Sequence, residues 1–153
     1  MMRFGYTGGH MIEYSVAIDP HDIKGAFGLR HVVFVGEQKV PEEMEQDEFD
    51  QDAVHVVAKD GNRIVGTGRM VIEGTRGRIG RMAVEKSLRG HGVGKSMMLK
   101  LEEEARGRKL DEIYLHAQVY ARDFYGNLGY IPRGEVFDEA GINHIEMYKE
   151  IPK

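Results

Sequence analysis

The sequence has no cysteine, which excludes a disulfide framework, a thiolate zinc site and a cysteine nucleophile. Any catalysis must use other groups. It also has no apolar run near the roughly 20 residues that a membrane span requires. The first ten residues, MMRFGYTGGH, lack the apolar stretch of a signal peptide, so the expectation is a soluble cytoplasmic protein without a membrane partner. Basic residues do not dominate: 21 Lys and Arg against 25 Asp and Glu leave a formal net charge of -4, which argues against a nucleic-acid partner held by a broad basic face. No internal repeat or low-complexity linker divides the 153 residues. The organisation expected is a mobile lead-in over 1–10 and a single domain over 11–153, large enough to bury a core without disulfides or metals.

Met11 to Ile18 alternates as a strand, and Asp19-Pro20 opens a helix in the preferred cap and first-turn positions. Its buried face is read as Ile23, Ala26, Phe27, Val33 and Phe34. From Gly36 to Asp52 eight acidic residues face one formal base, Lys39; this is either a solvated surface or a field that draws in a cationic amine. The spacing is not that of a calcium loop, and no metal is expected. Val54 to Lys59 and Ile64 to Ile72 read as a hairpin across Asp60-Gly61-Asn62, followed by Arg78 to Val84, where Gly80 suggests a bulge. A helix from Gly92 to about Arg108 has the buried stripe Val93, Met97, Leu101 and Ala105, with Glu102/Arg106 and Glu104/Arg108 as exposed pairs. A strand at Ile113 to Ala117, a short helix at Tyr120 to Leu128 closed by Gly129, and two strands flanking an Asp138 to Asn143 turn complete a mixed α/β order in one layer of sheet.

The most informative run is Arg89-Gly90-His91-Gly92-Val93-Gly94-Lys95-Ser96. Its alternating glycines let backbone approach a ligand, and the helix start behind them leaves unpaired N–H groups and a positive dipole end, the makings of a phosphate turn. A Walker A loop would need glycine at position 89 and a dinucleotide fingerprint would need it at 95, and both requirements fail. Nor does the strand Ile113 to Ala117 end in an aspartate that could hold magnesium. The run does satisfy [RQ]-x-x-G-x-[GA], at Arg89, Gly92 and Gly94.

That spacing resembles the acyl-CoA pyrophosphate loop of the GNAT superfamily of N-acetyltransferases. Ala121-Arg122-Asp123-Phe124-Tyr125-Gly126-Asn127-Leu128-Gly129-Tyr130 is similar to the family's A-x-x-[FL]-Y-x-x-L-G-[FY] segment. Leu29 to Pro41, with His116-Ala117-Gln118, resembles the ElaA-like branch. The resemblance implies a mostly antiparallel six- to seven-stranded sheet with about four helices, splayed between strands four and five. It further implies acetyl-CoA as cosubstrate and transfer, by direct attack on the thioester, to a primary amine of a small molecule or peptide. Main-chain groups of Arg89, Gly90, His91, Gly92, Val93, Gly94 and Lys95 would take the pyrophosphate, and Met82, Ala83 and Val84 would line the pantetheine arm. Gln118 stands where many members carry asparagine. Tyr125 would be the general acid and a backbone N–H near Met82 the oxyanion donor.

For a general base the sequence offers Glu37, whose alternative is a solvated loop position; His55 and His116 read first as structural residues on strands. A noncatalytic acyl-CoA-binding module and a P-loop-like nucleotide-binding protein stand as the rival readings. Exposed sheet edges leave pairing into a homodimer open.

Overall fold

The computed structural model describes residues 3–7 and 10–152. Eight strands form one sheet: β1 Arg3–Thr7, β2 His10–Val16, β3 Val54–Asp60, β4 Arg63–Glu73, β5 Arg76–Val84, β6 Glu112–Gln118, β7 Ile131–Glu139 and β8 Ile142–Glu150, in the order β1-β2-β3-β4-β5-β6-β8-β7. The seven strands from His10 onward match the expected architecture, and β1 adds an eighth by pairing antiparallel with β2. Of the segment read as a lead-in, residues 1, 2, 8 and 9 lie outside the described residues. Every neighbouring pair is antiparallel except β5–β6. A parallel pair needs a crossover, and the helix α3 Val93–Gly107 supplies it.

α3 lays the expected stripe, Val93, Met97, Leu101 and Ala105, into the main core with at most 1% exposure. Glu102 departs from expectation. It is buried, accepts a hydrogen bond from the Tyr130 hydroxyl at 2.9 Å and pairs with Lys149 Nζ at 3.0 Å, because its position on α3 faces β8 rather than solvent. Glu104 and Arg108 do form the expected pair, at 2.5 Å. On the other face of the sheet lies α1 Pro20–Arg30, capped by the Asp19 carboxylate on the Asp22 N–H. Ala26 and Val33 are buried as expected, while Ile23 and Phe27 are only half-buried. At Gly25 a Cβ would stand 2.4 Å from Ile64 Cγ1, so glycine sets how closely α1 approaches the sheet. α1 runs into a wider helical turn, His31–Glu37, marked by a Gln38 N–H to Val33 carbonyl bond of 3.0 Å. α2 Glu42–Glu45 and α4 Arg122–Asn127 are short. No helix among the described residues is long and apolar enough to cross a membrane.

Two details position the site. The parallel ladder pairs Arg76 with Glu112 through Ile79 with Leu115 and then stops, although β5 continues to Val84 and β6 to Gln118. The two strands therefore splay into a V, the fourth and fifth strands counted from His10. On the other edge of β5, Thr67 pairs with Ala83 and Arg69 with Gly80, so Arg81 and Met82 stand opposite the single residue Gly68. The bulge foreseen at Gly80 thus falls one residue later, where Arg81 takes φ 51°. A Cβ on Gly68 would lie 2.4 Å from Met82 Sδ. Glycine there lets the Met82 side chain fold over β4. The final turn is tighter than the Asp138 to Asn143 loop expected, with Ala140 (φ 54°) and Gly141 (φ 80°) at its centre.

Candidate active site

A cavity of about 420 Å³ fills the mouth of the V. Phe34, Gln38 and Met44 wall it on the α1–α2 side, Gly80, Arg81 and Met82 on β5, and Ala117 and Gln118 on β6; Tyr125 closes its floor, and Glu139 and His144 come from the β7–β8 hairpin. Arg81 and Met82 have no ladder partner on β4, and the β6 ladder has already ended. This leaves main chain free to bind something laid along β5.

At the other end of β5, the glycine run forms a turn in which Gly90 (φ 80°) and Gly92 (φ 89°) are left-handed, and a Cβ on either would point into open space. Gly92 caps α3 without a side-chain bond, and the first helical bond runs from the Ser96 N–H to the Gly92 carbonyl at 3.1 Å. The N–H groups of Val93, Gly94 and Lys95 precede any intrahelical acceptor and face outward. Lys95 and His91 are exposed beside them. Arg89 is committed elsewhere: its Nε donates to the Val84 carbonyl at 2.9 Å and its Nη2 pairs with Glu37 Oε1 at 2.8 Å.

Glu37, the base expected from sequence, is engaged by Arg89. Its carboxylate is drawn to Arg89 and does not wall the cavity, whereas the next residue, Gln38, does. His55 is structural: it is buried, donates Nε2–H to the Asp50 carbonyl at 2.9 Å and meets the Phe27 ring edge-on. The group that sequence reasoning missed is His144. Its Nδ1 lies 2.7 Å from the Ile142 carbonyl, and since a carbonyl only accepts, Nδ1 carries a proton, so in the neutral ring the lone pair falls on Nε2. Nε2 stands 3.6 Å from Glu139 Oε2, and Phe137 stacks on the ring. No motif marked this pair, because the hairpin pairing of Phe137 with His144 is what brings them together. Tyr125 packs edge-on to Phe124 and Tyr130, and burial, then Tyr120 nearby, raises its phenol above the usual value. It stays protonated through the neutral range. His144 also lies directly across the ladder from Gln118, the amide at the tip of β6.

The acidic stretch divides: Glu42, Glu43, Glu48 and Asp52 are exposed, while Glu45, Asp47 and Asp50 are drawn into ion pairs. Arg30 on α1, 1% exposed, grips Glu45 at 2.8 Å and Asp50 at 2.8 Å. Arg69 on β4 holds Asp47 at 2.7 Å and Asp50 at 2.8 Å, and Arg81 holds Glu45 at 3.1 Å and Asp47 at 3.2 Å. Three guanidinium groups thus meet three carboxylates, tying α1, α2 and the bulge into one cluster. Burial opposes ionisation of Asp50, but the bonds from Arg30 and Arg69 outweigh it and hold its carboxyl well below the usual range; Asp47 is lowered chiefly by its hydrogen bond from Arg69. Arg81 is lowered by burial and by Arg69. No group of His, Asp and Glu suited to a metal ion occurs among the described residues.

A model of the acetyltransferase (GNAT) domain matches residues 23–151. The uncharacterized N-acetyltransferase YjcF of Bacillus subtilis is 39% identical over 136 residues, covering 88% of this chain and 97% of its own. Among solved structures, Escherichia coli ElaA superimposes with a TM-score of 0.82 at 31% identity, covering 92% of this chain and 100% of its own. An acyl-CoA N-acyltransferase of Pseudomonas aeruginosa gives 0.82 at 28%, covering 90% and 99%. At the level of fold alone, an aminoglycoside 6'-N-acetyltransferase solved with coenzyme A gives 0.75 at 20%, covering 92% and 97%.

The cluster sets an acid limit on stability. Carboxyls lowered on folding stabilise the native state fully above their unfolded values near pH 4, and that contribution is lost as pH falls through the lower folded values. Urea titrations should give unfolding free energies that hold level from about pH 7 to 5 and fall steadily below about pH 4. In Arg69→Met, which leaves Asp47 and Asp50 short of a partner, the acid-dependent drop should shrink. A wild-type profile that is flat to pH 2 would refute the assignment.

Proposed function

The chain belongs to the GNAT acetyltransferase family, and on that premise we propose that it moves an acetyl group from acetyl-CoA to a primary amine by direct attack on the thioester. The observation that carries this reading is the open stretch of β5. It runs from the donor-rich turn at the head of α3 to the cavity that holds Tyr125. The coenzyme A complex of the aminoglycoside enzyme of like fold supports the same cosubstrate.

The residues present fit such a ligand. The N–H groups of Val93, Gly94 and Lys95 would receive pyrophosphate oxygens, the helix dipole adding on the order of 0.3 to 2 kcal/mol. Gly90, His91 and Gly92 form the turn, with no Cβ at the two glycines to obstruct approach. Arg89 acts on the strand instead, since its bonds to Val84 and Glu37 hold the loop against β5. Met82, Ala83 and Val84 would carry the pantetheine arm as an added strand, and Gln118 would reach it from β6.

At the reacting end the Met82 N–H is the oxyanion donor, on the stretch of β5 beyond the end of the β6 ladder. Tyr125 is the acid: its raised phenol is protonated at neutral pH and can pass its proton to the departing thiolate. In place of Glu37 the base is His144 Nε2, which removes the amine proton while Glu139 balances the imidazolium. A purely noncatalytic acyl-CoA-binding module would not require this acid and base to line one cavity.

Three substitutions test the scheme. Tyr125→Phe should lower the maximal rate of thiol release from acetyl-CoA by roughly 10²-fold or more with coenzyme A affinity nearly unchanged; an unaltered rate removes Tyr125 as the acid. His144→Gln should depress kcat/KM at pH 7 and recover toward wild type at pH values where the amine is already neutral. A deficit independent of pH would speak for a structural role alone. Gly92→Asp should abolish coenzyme A binding in calorimetry while the thermal melt stays cooperative, and retained affinity would overturn the loop assignment.

A further inference from the structure

A side pocket of about 140 Å³ adjoins the cleft and shares Gly80, Arg81, His116 and Glu139 with it. It lies on the sheet face away from α3. Ile113, Leu115 and Ala117 of β6 enter the main core, so Tyr114 and His116 project oppositely, beside Arg78 of the paired strand. Three arginines line the pocket, but two are neutralised: Arg69 by Asp47 and Asp50, Arg81 by Glu45 and Asp47. Arg78 differs. It is half-buried, its Nη2 lies 3.2 Å from His116 Nδ1, and it makes no carboxylate ion pair among the described residues.

The acids nearby account for this. Glu146 and Glu112 are bound by Arg133 at 2.6 and 2.8 Å, and Glu73 accepts from the Tyr114 hydroxyl at 2.5 Å. Glu139 is the carboxylate that also reaches the pocket, and its contacts are to imidazoles, His116 Nδ1 at 3.3 Å and His144 Nε2 at 3.6 Å. One guanidinium without a carboxylate and one carboxylate without a guanidinium therefore flank the same nitrogen of His116. The Glu139 side opens on the proposed base; the Arg78 side lies deeper along β5.

Resting on the acetyl-transfer reading of the cleft, the geometry points to a free α-amino acid as the acceptor. Its amine would sit between Glu139 and His144 Nε2, and its carboxylate would pair with Arg78 in the side pocket. A zwitterion separates its two charges by a few ångströms, as the pocket does. Arginine suits the carboxylate end because its planar fork accepts both oxygens at once. A plain alkylamine leaves Arg78 without an anion, and the free amine of a peptide brings an amide there in place of a carboxylate. In the transfer the ammonium first gives one proton through His144 Nε2 to solvent, and the neutral amine then forms the C–N bond as the C–S bond breaks. Its next proton passes to His144 and on to solvent, and the thiolate takes the proton of Tyr125, which solvent restores.

Serine with ethanolamine and tyrosine with tyramine, joined by seryl-glycine, form the test set on the full chain. Wild type should favour the amino acid in kcat/KM for thiol release by roughly 10- to 100-fold. Arg78→Leu should erase that preference, and Arg78→Lys should restore part of it. Calorimetric binding of the same amino acids in the presence of coenzyme A reads the pocket without turnover. Amino-acid affinity lost in Arg78→Leu and partly regained in Arg78→Lys supports the proposal even if no transfer is seen, in which case only the acetyl-transfer reading fails. Amines or the dipeptide bound as tightly as amino acids by wild type, no amino-acid binding by wild type, or a preference that survives Arg78→Leu in a cooperatively melting variant would each overturn it.

Discussion

Between Ile79 and Val84 one edge of β5 leaves its parallel partner, and the rest of the site depends on that parting. Main-chain donors and acceptors that lose a strand partner must find another, since leaving one buried and unmet costs on the order of 1–3 kcal/mol. Here the separation is stabilised from the β4 side. Arg81 accepts a left-handed φ of 51° and sets Met82 opposite Gly68, and its guanidinium is then held by Glu45 and Asp47. A bulge residue with a long, doubly paired side chain cannot relax into a regular ladder without giving up those bonds. The ionic cluster of Arg30, Arg69 and Arg81 with Glu45, Asp47 and Asp50 therefore joins the α1–α2 wall of the cleft to its β5 wall.

Charge is distributed along β5 in a way that separates binding from reaction. At the α3 end the attraction for an anion comes from backbone N–H groups, while Arg89 spends its charge on Glu37. At the cavity end Arg69 and Arg81 are balanced by acids, and the proposed reacting groups, Tyr125 and His144, line the cavity. Arg78 and Glu139, outside the cluster, are the groups proposed to read an acceptor.

Much of the frame was legible in the chain itself. Asp19-Pro20, the Asp60-Gly61-Asn62 turn and the α3 stripe act through neighbours a few residues away, so local chemistry suffices to place them. The glycine turn ahead of α3 was legible for the same reason, since glycine positions and a helix start are local facts. Glu102 was misread as exposed, and the ion pairs of Glu37, Glu45, Asp47 and Asp50 were not foreseen, because a charged residue's environment depends on what the fold brings opposite it: Tyr130 and Lys149, Arg89, and three arginines from α1, β4 and β5.

By itself the sequence determined the order of elements, the turn at Arg89 to Ser96, and the tyrosine that follows β6, all through short-range spacing and backbone preference. Only the tertiary structure decided where β5 and β6 part, which arginine of the side pocket lacks a carboxylate partner, and that His144 rather than Glu37 lines the cavity with Tyr125. Those outcomes rest on contacts between segments tens of residues apart, and burial and pairing across such distances have no periodicity in the chain from which they could be read.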